Sequence, residues 1–233
     1  MREIIFDTET TGLDPRDGHR LVEIGCIELV DRRETGNSFH AYFHPERDMP
    51  FEAEAVHGLS IGFLSDKPRF AERARELIDF VGDAPLVAHN AAFDFGFVNA
   101  ELARIGMAAL SLDRMICTVQ MARKLHPGGK HSLDAMCVRY GIDRSHRVKH
   151  GALLDAELLA HLYIEMTGGR QIGLGLAASA SARGSQSAAP MQVVAKAERP
   201  FREPRPHAPT AAEQASHAEF IAMLKQPLWL DRA

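Results

Sequence analysis

The spacing of apolar residues changes once along this chain, and that change constrains the fold more than any other feature. In the first part, short apolar runs separated by turn residues predict three strands, at residues 3–8, 20–30 and 38–43, which form an antiparallel meander. From Phe70 onward, stretches with helical spacing alternate with short apolar runs. A meander followed by strand–helix alternation predicts an α/β fold, with a mixed sheet and helices on both faces.

The second part of this pattern ends at Gly168 and Gly169, which stop the last predicted helix. It comprises predicted helices at residues 70–81, 94–105, 132–140 and 151–166, and predicted strands at residues 85–88 and 114–118. Residues 1–169 are therefore predicted to form a single domain.

After Arg170 the composition shifts to Ala, Ser, Gly and Gln, and then to Pro. Such a segment cannot bury enough apolar surface to offset the entropy lost on ordering, so residues 170–209 are predicted to be a flexible linker. Thr210 and Glu213 have the spacing of a helix capping box. Residues 210–233 are therefore predicted to form a helical tail.

Composition and charge exclude several classes of protein. The net charge of −4 argues against a domain that grips duplex DNA by charge alone, so a nucleic-acid enzyme of this kind would need a partner to hold it on its substrate. The three cysteines, Cys26, Cys117 and Cys137, lie in apolar runs and are predicted to be reduced thiols of a cytoplasmic protein. The chain has neither the apolar stretch of a membrane span nor the pattern of a signal peptide, and no membrane association is expected.

Four acidic residues and a histidine fall at the ends of predicted strands and helices. Asp7 and Glu9 are two apart on a strand and point to the same side, although solvated loop charges would give the same pattern. Asp94 opens a predicted helix, where the helix dipole alone would favour it, and Asp155 follows His150 into the last one. Several carboxylates without a cysteine suit Mg²⁺ or Mn²⁺. Two such ions, about 4 Å apart, stabilise the attacking and leaving oxygens of a phosphoryl displacement.

Three segments carry a resemblance to a known family: residues 6–12 (Phe-Asp-Thr-Glu-Thr-Thr-Gly), 89–94 (His-Asn-Ala-Ala-Phe-Asp) and 150–155 (His-Gly-Ala-Leu-Leu-Asp). In order and spacing they resemble the three motifs of the DEDDh 3′→5′ exonucleases, a family with a ribonuclease-H-like fold. Residues 56–58 (Val-His-Gly) and 131–134 (His-Ser-Leu-Asp) are similar to the branch of this family that proofreads for bacterial replicative DNA polymerases.

The resemblance implies a role for each of these groups. Asp7 would bridge two metal ions, Glu9 and Asp155 would complete the shell of one ion, and Asp94 would act on the other. His150 would be the general base that deprotonates the attacking water. Positions near the terminal nucleotide correspond to Asp7, Glu9, Glu52, His57, His89, Asn90 and Asp155. For Glu52, His57, His89 and Asn90, a surface or structural role remains open. The basic residues Arg144, Arg147 and Lys149 either form a solvated loop or contact the substrate backbone.

Two segments of the predicted linker and tail suggest partners. Gln171, Leu174 and Leu176 belong to residues 171–176, which resemble the short peptide that docks bacterial replication proteins on the sliding clamp; the alternative is a plain linker. Phe220, Leu224 and Trp229 lie in the helical tail, and the resemblance implies that they bind the polymerase catalytic subunit. The alternative is a helix that folds back on the first domain.

The sequence therefore predicts an exonuclease that hydrolyses the terminal phosphodiester at a single-stranded or frayed DNA 3′ end, with two Mg²⁺ or Mn²⁺ ions as cofactors. One rival is an enzyme of the same family that acts on RNA ends or oligonucleotides, which would have no need of a tether with two docking peptides. The other rival is a non-catalytic linker between polymerase and clamp, against which the complete set of acids argues.

Overall fold

Three antiparallel strands and two parallel strands form one mixed sheet. The structure is a computed structural model that describes residues 1–145, 147, 149–169 and 208–223. The described strands are β1 (Arg2–Thr10), β2 (Leu21–Val30), β3 (Arg33–Tyr42), β4 (Leu86–Ala88) and β5 (Met115–Cys117), in the spatial order β3-β2-β1-β4-β5. The first three pair as an antiparallel meander, and β4 and β5 run parallel to β1. The predicted mixed sheet is confirmed.

Helices follow the strands in the order that the apolar spacing predicts. Those described within residues 1–169 are α1 (Phe51–His57), α2 (Ile61–Leu64), α3 (Phe70–Val81), α4 (Ala91–Arg104), α5 (Thr118–Leu125), α6 (Leu133–Tyr140) and α7 (Ala152–Met166). Two 3₁₀ turns, Pro15–Asp17 and Leu112–Arg114, complete the described elements of this part of the chain.

Alternate residues of β1 enter two different cores. Ile4 and Phe6 pack with residues of α3 and α4, whereas Ile5 packs with residues of α5, α6 and α7. Helices therefore cover both faces of the sheet, as predicted. Because successive side chains of a strand point to opposite faces, Asp7 and Glu9 continue the row of Ile5 and lie on the α7 face.

The third strand is longer than predicted. A turn over residues 31–37 was expected, but the turn consists of Asp31 and Arg32 alone, with φ of 50° and 62°, and Arg33 already pairs with Val30. β3 is the edge strand of the sheet and the first half of it is exposed. Polar residues there leave no apolar alternation, so backbone pairing alone defines this half of the strand.

The remaining differences concern short helices. The sequence did not predict α1, α2 and α5, which have seven, four and eight residues and are too short for a clear apolar period. α4 begins three residues before Asp94, which therefore lies in its first turn. The strand predicted at residues 114–118 ends at Cys117, because Thr118 begins α5.

One further helix, α8 (Ala211–Met223), belongs to a separate compact unit of the chain. At its start, the Thr210 N–H donates to Glu213 Oε2 over 2.7 Å and the Glu213 N–H donates to Thr210 Oγ1 over 3.3 Å. These are the two hydrogen bonds of a capping box. None of its residues is buried, and Phe220 is 54% exposed.

Most of the predicted linker and part of the tail fall outside the described residues. These include Gln171, Leu174, Leu176, Leu224 and Trp229, together with residues 170–207 of the predicted linker. None of the described helices has the length and apolar character that crossing a lipid bilayer requires.

Candidate active site

The end of β1 brings two acidic side chains to the α7 face of the sheet. Glu9 is 8% exposed, and Asp7 keeps somewhat more of its surface accessible. On β2, Asp7 faces Gly25 and Glu9 faces Glu23. Backbone pairing with β2 holds this carboxylate pair on the strand, so its position does not depend on a loop.

α4 adds a third acid from the other face of the sheet. β4 ends at Ala88 next to β1, and Asn90 turns the chain into α4 with a left-handed φ of 73°, a conformation that Asn tolerates better than most residues. In the first turn of α4, Asp94 is 2% exposed and accepts a 2.7 Å hydrogen bond from Thr8 Oγ1. Thr8 lies between the two acids of β1, so this hydrogen bond fixes Asp94 beside them.

α7 adds the fourth acid by packing directly on β2. A Cβ added to Gly25 would lie 2.3 Å from Leu153 Cα, so only glycine allows the backbone of α7 to come this close. The helix begins at Ala152, and Asp155 in its first turn is 3% exposed. The close approach brings the start of α7 next to the acids of β1, where ligand atoms of Asp155 and Glu9 lie within 4.8 Å of each other.

Burial disfavours the charged forms of three of these acids, Asp7, Glu9 and Asp94. Burial raises the pKa of Asp7 well above its usual range, and the charges of Asp94 and Glu9 raise it further. The pKa of Glu9 rises to about 8, first through burial and then through Asp155. Burial also raises the pKa of Asp94 to about 7, although the hydrogen bond from Thr8 opposes the shift. The cluster therefore favours binding of a proton or another cation.

Arg147 lies against this cluster. Its guanidinium donates two hydrogen bonds to Asp155, from Nε to Oδ1 and from Nη2 to Oδ2, each 2.5 Å long. Nη1 donates to Asp134 over 2.8 Å, and Nη2 also donates to Nδ1 of His150 over 2.7 Å. The His150 side chain is 47% exposed, and its Nδ1 lies 3.3 Å from Asp155 Oδ2.

The structure thus brings all five motif residues to one end of β1. Among them, Glu9, His150 and Asp155 each offer a ligand atom, and these three atoms lie within 4.8 Å of one another. One carboxylate from a strand, one from a helix and an imidazole can hold a divalent ion together. Asp7 and Asp94 supply further oxygen donors, since the Asp7 carboxylate interacts electrostatically with those of Asp94, Glu9 and Asp155.

A cleft of about 600 Å³ adjoins Glu9. Two of the residues predicted to lie near a nucleotide, Glu52 and His57, line it, and both come from α1. His57 is 5% exposed; its Nδ1 accepts a hydrogen bond from the Leu59 N–H, and its Nε2 has no partner among the described residues. Polar and apolar side chains share the wall, the apolar ones being Leu13, Pro50, Ala53, Val56 and Phe93.

The other two residues predicted near a nucleotide lie just after β4. His89 has protein partners at both ring nitrogens: Nε2 donates to the His131 carbonyl over 2.8 Å, and Nδ1 lies 2.8 Å from Thr118 Oγ1. These contacts tie the end of β4 to the start of α5. Asn90 is exposed, and its side chain makes no capping hydrogen bond to α4.

Three residues that position the site had no assigned role in the sequence. Thr8 is flanked by the two acids of β1, so its place inside the motif was a usable signal. Gly25 lies in an apolar strand, and a glycine there is a known sign of close backbone approach. Arg147 was predicted only as part of a basic run, either solvated or in contact with the substrate backbone, because its contact with Asp155, eight residues further along the chain, follows no strand or helix spacing.

Comparisons with known proteins show which family this chain is similar to. The exonuclease family model matches residues 4–163 of the chain. The DNA polymerase III subunit epsilon of Rickettsia felis is 54% identical over 174 residues, which cover 73% of this chain and 76% of that protein.

Two solved structures share the fold. Exonuclease X in complex with 5′-overhanging duplex DNA is 28% identical, with a TM-score of 0.56 over 70% of this chain and 90% of that one. The nuclease domain of 3′hExo, a DEDDh family member bound to rAMP, is 18% identical, with a TM-score of 0.62 over 71% of this chain and 91% of that one. The predicted ribonuclease-H-like fold class is confirmed.

Proposed function

Since this chain belongs to the exonuclease family, as a DEDDh 3′→5′ exonuclease with DNA polymerase III epsilon subunits among its relatives, we propose that it proofreads for a bacterial replicative polymerase. It would hydrolyse the terminal phosphodiester at a single-stranded or frayed DNA 3′ end and release one nucleoside 5′-monophosphate at a time. The observation that carries this proposal is the convergence of Asp7, Glu9, Asp94 and Asp155, with His150 beside them, at the end of one strand. Such a subunit works in the cytoplasm, at the replication fork.

Enzymes of this family generally use divalent metal ions, and the donor set here fits such ions. Carboxylate oxygens are the ligands that Mg²⁺ and Mn²⁺ prefer. Burial raises the pKa values of Asp7, Glu9 and Asp94, and neighbouring carboxylates raise those of Asp7 and Glu9 further, so a bound cation would stabilise their charged forms. We assign these three residues and Asp155 to hold two ions. When bound, the ions supply Lewis-acid stabilisation of the charge that develops on the attacking and leaving oxygens.

The remaining chemistry falls to the side chains. His150 takes the proton from the attacking water, whose oxygen bonds to the phosphorus of the terminal nucleotide while the bond from that phosphorus to the 3′ oxygen of the preceding nucleotide breaks. That 3′ oxygen leaves and takes up a proton from solvent. His150 lines a second cleft, of about 500 Å³, together with Asp134 and Arg147, and its half-exposed ring can reach a water molecule there. Thr8 keeps the Asp94 carboxylate oriented through the 2.7 Å hydrogen bond, so the acid does not turn away when the substrate enters.

The 600 Å³ cleft next to Glu9 is the proposed site for the terminal nucleotide. Its apolar wall, which includes Val56 and Phe93, would pack against the base. Glu52 would hydrogen-bond the sugar, and His57, which lines the same cleft, would contact the nucleotide. His89 would act indirectly, because both of its nitrogens already have protein partners, whereas Asn90 is free to contact the strand.

The direct test of this function uses three substrates of one sequence: DNA with a paired 3′ end, DNA with a mispaired 3′ end, and RNA. With Mg²⁺ we expect 5′-mononucleotides to be released fastest from the mispaired DNA end, since fraying supplies the single strand, and EDTA should stop the release. Faster digestion of RNA than of either DNA would favour the rival RNA-end enzyme. No digestion of any substrate would favour a non-catalytic linker.

For the rest of the chain we propose a tether with two docking segments. Residues 1–169 would form the catalytic domain and residues 170–209 a linker, with Gln171, Leu174 and Leu176 binding the sliding clamp. Residues 210–233 would bind the polymerase subunit through Phe220, Leu224 and Trp229. Two observations support the second assignment: no residue of α8 is buried, and Phe220 is more than half exposed. Tethering raises the local concentration at the primer end, which an acidic exonuclease needs.

This arrangement is tested by pull-down of two variants against the polymerase subunit and the clamp. Deletion of residues 177–233 should abolish polymerase binding and spare clamp binding, while Ala at Gln171, Leu174 and Leu176 should do the reverse. Both variants should digest free DNA ends as the parent does. Full polymerase binding by the deletion variant would place that interface on the catalytic domain instead.

A further inference from the structure

Arg147 is a buried cation at a site that has to accept other cations. Its side chain is 8% exposed, and two of its nitrogens form a bidentate pair with the Asp155 carboxylate, which is itself 4% exposed. Bidentate guanidinium–carboxylate pairs are among the stronger hydrogen-bonded contacts in proteins. This pair therefore satisfies the charge of Asp155 inside a cluster of like charges.

The same guanidinium also engages His150. An arginine N–H can only donate, so the 2.7 Å contact from Nη2 uses the lone pair of His150 Nδ1. In this arrangement that nitrogen cannot accept a proton from water. Arg147 thus occupies two groups that the proposed reaction needs, a metal-holding carboxylate and the general base.

A third contact gives Arg147 a partner that does not belong to the cluster. Nη1 donates to Asp134, which is 47% exposed and lies in the first turn of α6. Arg144 also pairs with Asp134, over 2.8 Å, but no contact joins Arg144 to Asp155 among the described residues. If Arg147 released Asp155, Asp134 would still hold its charge, so the guanidinium can withdraw without being left buried and unpaired.

We propose that Arg147 is a placeholder for a metal ion: it neutralises Asp155 and holds His150 while the site is empty of divalent cations, and it withdraws toward Asp134 when such an ion binds. This inference rests on the proposed function, since it takes Asp155 as a metal-holding residue. Withdrawal frees the carboxylate edge of Asp155 and Nδ1 of His150 in one movement. Metal loading would then also release the base.

The test measures metal binding directly, by titration calorimetry of the EDTA-treated full chain with Mn²⁺. Arg147→Gln removes the competitor, and we expect the variant to bind Mn²⁺ roughly tenfold more tightly than the parent, which corresponds to the loss of one charge-assisted contact. Arg144→Gln is the matched control: it removes the same charge from the same segment without touching Asp155. Its Mn²⁺ affinity should stay within about twofold of the parent value.

Thermal unfolding in EDTA supplies a second readout. The unfolding temperature of Arg147→Gln should fall below that of Arg144→Gln, because Asp155 is left unpaired, and Mn²⁺ should raise it by more than it raises the parent's. Arg147→Lys keeps the charge without the bidentate geometry, so an intermediate affinity is expected even if the Gln variant folds poorly.

Equal Mn²⁺ affinity of the Arg147→Gln and Arg144→Gln variants would overturn the proposal, and so would weaker binding by Arg147→Gln or Arg147→Lys than by the parent. Failure of the proposed function is a separate observation, since it would appear as a parent protein that binds Mn²⁺ yet releases no nucleotide from any DNA end.

Discussion

The acids of the site and its histidine are supported in different ways. Asp7, Glu9, Asp94 and Asp155 lie on β1, α4 and α7, and three of the four are less than a tenth exposed. His150 and Arg147 lie in the segment between α6 and α7, and His150 is about half exposed. Regular elements fix the acids before any ligand arrives, at the cost of burying like charges together. The intervening segment carries the groups that have to change partners during a reaction.

Substitution of one of the buried acids should lower the exonuclease activity more than substitution of His150 or Arg147. Asp7→Ala is expected to lower exonuclease activity by several orders of magnitude, because it removes a proposed ligand of both ions. Stability without metal should rise, since one of the mutually repelling carboxyls is gone. Single-turnover digestion of single-stranded DNA and thermal unfolding in EDTA measure the two effects.

The control for Asp7→Ala is Asp66→Ala, an exposed acid that does not line the cleft. It should leave both quantities close to those of the parent. A digestion rate of Asp7→Ala within tenfold of the Asp66→Ala rate would remove Asp7 from the catalytic set.

Substitution of His150 should have the next largest effect on activity. His150→Gln is expected to slow hydrolysis by about 10²–10⁴-fold, the usual contribution of a general base, while Mn²⁺ affinity changes much less than in Asp7→Ala. His161→Gln, on the exposed side of α7, serves as the control for loss of an imidazole. If His150→Gln retained the parent's rate, His150 would not be the general base, and one of the acids would have to take that role.

The acids of the site could be predicted from the sequence, whereas the contacts of Arg147 could not. The motifs located the four acids proposed to hold the metal ions, because strand parity and helix starts are properties of neighbouring residues. The buried Glu23, which faces Glu9 from β2, carries no motif and was not predicted. The contact of Arg147 with Asp155 depends on how the chain between α6 and α7 folds back, which no spacing rule describes. The first half of β3 escaped prediction for a related reason: its pairing is made by backbone groups, and its exposed side chains carry no apolar pattern.

Burial of the acids also predicts how stability depends on pH. The pKa values of Glu9 and Asp94, about 8 and about 7, lie above their ordinary values, so the folded state binds protons more tightly than the unfolded state. Their contribution to stability is therefore complete below pH about 4 and is lost as the pH rises through 7 to 8. The metal-free protein should lose several kcal/mol of unfolding free energy between pH 5 and pH 9, because each pH unit between pH 5 and a raised pKa corresponds to about 1.4 kcal/mol.

Urea denaturation in EDTA across this pH range measures that loss. Glu9→Gln should flatten the profile, whereas Glu157→Gln, an exposed acid on α7, should not. Mn²⁺ should also flatten it, because a bound ion replaces the protons. If the stability of the parent in EDTA did not change with pH, the acids would have to lie further apart or be more exposed than they are in the structure.

The smallest expected effect concerns Gly25, which couples the acids of β1 to α7. An added Cβ would lie 2.3 Å from the backbone of Leu153, which cannot rotate away as a side chain can, so α7 must shift outward and carry Asp155 with it. Gly25→Ala should therefore cost about 1–3 kcal/mol of unfolding free energy, the usual penalty for overpacking, and weaken Mn²⁺ binding without abolishing it. The matched control is Gly96→Ala in α4, where an added Cβ has no neighbour within 4 Å and should stabilise the helix slightly. Both variants are compared by urea denaturation and by Mn²⁺ calorimetry. If Gly25→Ala lost stability but kept the parent's Mn²⁺ affinity, the position of Asp155 would depend on α7 alone and not on the contact between α7 and β2. The sheet would then fix the acids less strictly than the close approach at Gly25 implies.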